Sequence, residues 1–173
     1  MATTQPPRHP DQNFRDIERL FRRAHRDKMK SDGKASFLAF ELPDMSVSRE
    51  DQSTAEEARR GFRPENWGVV SIRVGDIPPR ESLPQLNHSY RFRTRHVPDV
   101  GNFAHSEVRV WRENGAIAVL ITTRQTEEFL ATDPDRESPR SGTELLDPNF
   151  HMRWRKRLEW RCQPELRPTD EAA

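Results

Sequence analysis

The chain has 173 residues, of which 29 are basic and 28 acidic for a net charge of +1, with 32% hydrophobic and 33% charged residues. That length suits one domain able to bury a core without metals or disulfides, and the balanced charge argues against a protein that coats nucleic acid unselectively. The single cysteine, Cys162, excludes an intramolecular disulfide and a Cys-rich zinc module, and 14 prolines against 7 glycines point to a core smaller than the length suggests.

Residues 1–9 read as a disordered leader ahead of an α+β domain over residues 10–130. The opening MATTQPPRHPDQ holds no apolar run, so no secretory signal and no transmembrane helix are expected, and a reducing cytoplasm is the default. Pro10 and Asp11 resemble a helix start, and Phe14, Ile17, Leu20, Phe21 and Met29 recur at three- and four-residue steps. The spacing predicts an N-terminal amphipathic helix ending near Ser31-Asp32-Gly33. Its arginines, Arg23 among them, would form a wet face within pairing reach of Asp16, Glu18 and Asp27.

Phe37 to Leu42 reads as a first strand closed by Pro43, followed by the polar run Ser46-Val47-Ser48-Arg49-Glu50-Asp51. Ser53 and Thr54 are caps for a short helix through Glu56, Glu57 and Ala58, which Gly61 and Pro64 end. Trp67 to Ile77 alternates as a second strand, and Pro78, Pro79 and Pro84 force an extended loop after it. Tyr90 to Val97 alternates again, with Tyr90, Phe92, Thr94 and His96 on one face and Arg91, Arg93 and Arg95 on the other. Val108 and Val110 mark a further strand. Asn114-Gly115 then predicts a type I′ hairpin, with Ala116 to Ile121, apolar on both faces, as the central strand of the sheet.

Residues 131–149 are rich in Pro, Ser, Asp and Gly and read as a flexible linker. It delivers an Arg-rich segment, residues 150–163, back to the domain, and residues 164–173 read as a disordered tail. In the Arg-rich segment Phe150, Met152, Trp154, Leu158, Trp160 and Cys162 fall on even positions, and Arg153, Arg155, Arg157 and Arg161 on odd ones. That period of two favours a strand with Trp154 and Trp160 packed inward, although Phe150, Trp154 and Leu158 also fall four apart as on a helix. The expected architecture is therefore an α+β fold with a mostly antiparallel, curved sheet of about five or six strands.

Lysine is confined to Lys28, Lys30, Lys34 and Lys156, so the other 25 basic residues are arginine. Guanidinium groups suit bidentate binding of phosphate or carboxylate, but a high-GC prokaryotic genome also supplies arginine codons, so placement carries more weight than abundance. Placement suggests a small binding or accessory protein. Its sheet face, bearing Arg91, Arg93, Arg95, Arg153, Arg155 and Arg157, would engage an anionic partner, either nucleic acid or an acidic protein surface. The same rows could equally be a subunit interface, where Arg and Trp are enriched, or could be closed by internal carboxylates.

The chemistry-bearing alternative lies in NHSYRFRTRHVPDVGNFAHSE, which holds three of the six histidines. If the turn at Pro98 to Gly101 brought His96 beside His105 and Glu107, the three could hold a metal such as non-heme iron or act as an oriented acid/base pair. Arg95 or Arg49 would then stabilise an anionic transition state on a phosphorylated or carboxylated substrate. The residues name no particular cofactor and no oligomeric state. Cys162, in an apolar row, reads as a small core residue.

Overall fold

A computed structural model describes residues 11–99, 101–124, 126–129 and 133–169. The expected leader and the last four residues of the expected tail lie outside them. Among the described residues the chain forms a mixed α/β fold built on one sheet of nine strands, antiparallel at every pairing but one. In chain order the strands are β1 (Arg19–His25), β2 (Met45–Arg49), β3 (Trp67–Arg73), β4 (Arg80–Glu81), β5 (Ser89–His96), β6 (His105–Asn114), β7 (Ile117–Ile121), β8 (Arg140–Ser141) and β9 (Gln163–Leu166). The helices are α1 (Ala55–Arg59) and α2 (Pro148–Arg161). The main path runs β4-β5-β6-β2-β1-β3-β9, and β7 branches from β6 to carry β8 in parallel.

The expected N-terminal amphipathic helix is not formed. Residues 19–25 are a strand in the middle of the path, bonded to β2 on one edge and to β3 along all seven residues on the other. The helical spacing of Leu20 and Phe21 is fulfilled instead by burial on both faces of that strand, while Ile17 is left exposed. Pairing with β3 along its whole length and with β2 at Leu20 and Phe21 gives the backbone hydrogen bonds that outweigh a weak local preference.

Residues 150–161 are the reverse case, a helix where the period of two suggested a strand. Asp147 caps it by accepting from the Phe150 N–H at 2.8 Å, and Pro148 follows with its fixed φ at the first turn. Phe150, Trp154 and Leu158, four apart, are fully buried on the sheet, whereas Trp160 stands in solvent at 82% exposure. Phe150 stacks on Tyr90 with ring centroids 4.0 Å apart, and Trp154 stacks on Phe92 at 5.6 Å. Each such side chain contributes about 1.5–3 kcal/mol of burial.

The remaining elements follow their sequence signals with smaller changes. Thr54 caps α1 in a reciprocal capping box with Glu57. Phe37–Ala39 is a 3-10 turn rather than a strand. The hairpin at Asn114 pairs Asn114 with Ile117, so Gly115 and Ala116 are its two loop residues. Gly115 takes φ 61° while Ala116, the second loop residue, does not take a positive φ, which is the type II′ pattern in place of the expected type I′. The strand that follows, β7, is a branch rather than the centre of the sheet, and Ile117 is largely exposed. Residues 133–149 carry β8 and place Asp133, Asp135 and Leu146 in the interior, and β9 extends the sheet beyond β3. No helix among the described residues is long and apolar enough to cross a membrane.

Candidate functional site

The sheet has two unlike faces. Its apolar face, covered by α2, holds Leu20, Val47, Val70, Ile72, Tyr90, Phe92, Val108 and Val110. Register fixes the other face: Arg91 lies opposite Trp111, Arg93 opposite Arg109, and Arg95 opposite Glu107. The expected arginine row of β5 therefore exists, but it is largely closed by carboxylates.

Arg91 meets Glu113 at 2.7 Å and Arg95 grips both oxygens of Asp135 at 2.9 and 3.1 Å. Arg93 alone of the three has no ion-pair partner within 4.0 Å among the described residues. Burial and the flanking charges of Arg91 and Arg95 lower its pKa. The second row does not exist as a row, because α2 turns its arginines in different directions. Arg153 and Arg157, one turn apart, converge on Glu81, with Arg157 bidentate at 2.6 and 3.0 Å. Arg155 donates to the Phe37 carbonyl at 3.1 Å and lies 3.7 Å from Glu41.

Beneath the β5 row lies a charge cluster that the sequence reading missed. Arg109, wholly buried, donates to Glu107, Asp133 and Asp135 at 2.7 to 3.0 Å. Arg124 closes the second oxygen of Glu107. Burial opposes the charge of Arg109, but Asp133 and Asp135 outweigh it and raise its pKa. Burial likewise pushes the Asp133 carboxyl up, and the Arg109 hydrogen bond together with the Asp135 N–H brings it below its ordinary value. Its sequence signal was the same period of two: Glu107, Arg109 and Trp111 alternate with Val108 and Val110.

His96, His105 and Glu107 do not come together. His96 is paired in register with Ser106, so it faces the apolar side while its neighbours in β6, His105 and Glu107, face the other. Both His96 ring nitrogens are occupied: Nδ1 accepts from the Asp11 N–H at 2.9 Å and Nε2–H donates to the Phe103 carbonyl. Burial lowers its pKa, which keeps it neutral. Among the described residues no group of three His, Cys, Asp or Glu side chains could hold a metal. Arg49 is also committed, buried against Glu18 at 2.8 Å and donating to the carbonyls of Asp11 and Asn13 at 2.7 Å each. Cys162 is a buried free thiol, its pKa raised by burial.

His105 opens on a cavity. A cleft of 890 Å³, nearly twice the 480 Å³ of the one beside Trp160, lies between β1, β2, α1 and the turn before β6. Arg23, Ser46, Gln52, Arg60, Asn102 and His105 line it. His105 Nδ1–H donates to the Val97 carbonyl at 2.8 Å, which leaves Nε2 to accept from the Ser46 hydroxyl at 3.0 Å. Burial holds the His105 pKa below its ordinary value. Arg23 lies with its guanidinium 3.9 Å above the Phe62 ring and has no ion-pair partner within 4.0 Å among the described residues. Burial lowers its pKa as well.

Comparison with known proteins adds no family to this geometry: no family model, no curated protein and no solved structure matches the chain.

Proposed function

We propose that the protein is a binding module for a small polar ligand with a carboxylate or phosphate group, seated in the cleft between β1, β2, α1 and the turn before β6. The reading keeps the anionic partner that the arginines suggest and moves it from the sheet rows to Arg23. One observation carries it. Arg23 is a half-buried guanidinium in a roomy cleft with no ion-pair partner within 4.0 Å among the described residues, Glu57 and Asp99 being the acidic residues that line the same cleft, whereas Arg91, Arg95, Arg153, Arg155 and Arg157 have acidic partners. A desolvated cation without a partner is costly, and an anionic ligand would relieve that cost. Phe62 fixes the plane of the guanidinium, and Asn102 and Gln52 supply further polar groups on the walls. A reducing cytoplasm fits the single buried thiol.

Calorimetric titration with inorganic phosphate, methyl phosphate and acetate tests the reading. Saturable binding by at least one of them, weakened about tenfold or more in Arg23→Gln, is the expected result. Equal binding by the variant, or no binding of any of the three, sinks it.

A further inference from the structure

We infer that Ser46 and His105 form a nucleophile and general-base pair in this cleft, and that the ligand held there is a carboxylic ester carrying the anionic group. The inference rests on the same cleft as the binding reading. Its own support is the hydrogen-bond relay from the Ser46 hydroxyl through the His105 ring to the Val97 carbonyl.

A carbonyl can only accept, so the contact with Val97 places the ring proton on Nδ1 and leaves the Nε2 lone pair free to receive the serine proton. That is the tautomer a general base needs, fixed by a backbone atom that cannot rotate away. Ser46 sits on β2 and His105 at the start of β6, two paired strands, so the 3.0 Å contact is set by sheet register and not by a mobile loop. Both side chains line the 890 Å³ cleft, which leaves space for a substrate beside the hydroxyl. Arg23 lines the same cleft, and its charge reaches His105, as do those of Arg124 and Asp99.

The chemistry follows from these positions. Ser46 Oγ attacks the ester carbonyl carbon and forms a new C–O bond while its proton passes to His105 Nε2. The carbon to leaving-group C–O bond then breaks, and the alkoxide takes that proton and departs as the alcohol. Water enters, gives a proton to the same Nε2 and attacks the acyl-serine. The acid is released and the proton returns to Ser46 Oγ. Throughout, the Nδ1 proton stays on His105, hydrogen-bonded to the Val97 carbonyl.

The test is treatment of the full chain with an uncharged fluorophosphonate, followed by mass mapping of the adduct, alongside hydrolysis of 4-nitrophenyl acetate. The expected result is one phosphonyl group on Ser46, lost in Ser46→Ala and at least 100-fold slower in His105→Gln. Adduct mapping on the unaltered chain needs no variant to fold, so absence of label at Ser46, or label spread over unrelated serines, overturns the inference. Phosphate binding without Ser46 labelling would end this inference alone. Ser46 labelling without binding of phosphate, methyl phosphate or acetate would end the Arg23 reading, and with it the anionic group assigned to the ester, and would leave the Ser46–His105 pair standing.

Discussion

Arg109 and Asp133 form a bidentate pair in which two guanidinium nitrogens reach the two carboxylate oxygens at 2.7 Å each, across 24 residues of chain. The pair does more than add one contact. It draws the stretch after residue 132 down over β6 and places Asp135 against Arg95, which joins the loop to two strands at once.

Removing Arg109 would leave Glu107, Asp133 and Asp135 buried together with too few cations, each of them at most 4% exposed. Arg109→Ala should cost about 3–5 kcal/mol, the range for breaking a buried ion pair from one side. Urea denaturation measures it. A loss under 1 kcal/mol would mean that water already reaches the cluster.

Trp154 is buried on the sheet, yet its indole N–H finds no acceptor among the described residues. Trp154→Ala should cost about 3–5 kcal/mol through the cavity it opens. Trp154→Phe should cost much less, since it keeps the ring stacked near Phe92 and removes an unsatisfied donor. Thermal unfolding of the two variants separates these effects, and equal losses would show that the N–H does have a partner.

Helix α2 also shows where the sequence was legible and where it was misread. Asp147-Pro148 is a cap and first-turn pair, and Phe150, Trp154 and Leu158 give a four-residue step, so the helix was written in the chain. The competing period of two won the reading because arginines occupy the odd positions and large apolar groups the even ones. Only the exposure of Met152 and Trp160 breaks that tie, and exposure is a tertiary fact. Residues 19–25 were harder, because a strand that buries residues on both faces shows no clean alternation and the partners that hold it lie in β2 and β3. The hairpin at Gly115 and the capped α1 were legible because their signals are local. The cleft was not: Arg23, Ser46 and His105 lie far apart in the chain and meet only through sheet register.

Arg157 tests whether the expected arginine row of residues 153–157 serves the fold. It clamps Glu81, which is nearly buried and has Arg153 as its one other ion-pair partner among the described residues. Arg157→Ala should therefore lower stability by about 1–3 kcal/mol, the cost of depriving a buried charged acceptor. If the side chain merely faced solvent, the urea midpoint would not move.

Buried histidines make stability depend on mild acid. His96, His105 and His151 all have pKa values lowered by burial, and His151 accepts from the Leu42 N–H at 3.1 Å, which protonation would abolish. In the unfolded chain each takes a proton near pH 6.5, while the folded protein resists until lower pH. The unfolded state thus binds more protons in that window, so stability falls as pH drops below about 6.5 and levels off once the folded rings titrate. Urea midpoints measured from pH 8 to 5 should decline accordingly, and His96→Gln should flatten the slope. A midpoint that stays constant over that range would contradict the neutral rings.

Arg49 and Glu18 allow the cost of a buried pair to be separated from the cost of breaking it. Both are essentially inaccessible, and their 2.8 Å contact links β2 to the segment entering β1. Arg49→Met or Glu18→Leu alone strands a buried charge and should cost about 3–5 kcal/mol. The double variant removes both charges, so it should lose less than the sum of the two. It will not be neutral, because Arg49 also donates to the carbonyls of Asp11 and Asn13, and Asp11 in turn donates to His96. Loss of those bonds should free residues 11–13 from the end of β5, and hydrogen exchange at the Asp11 amide would report it. A double-mutant cycle with coupling near zero would show that the two charges are screened by water and do not act as a pair.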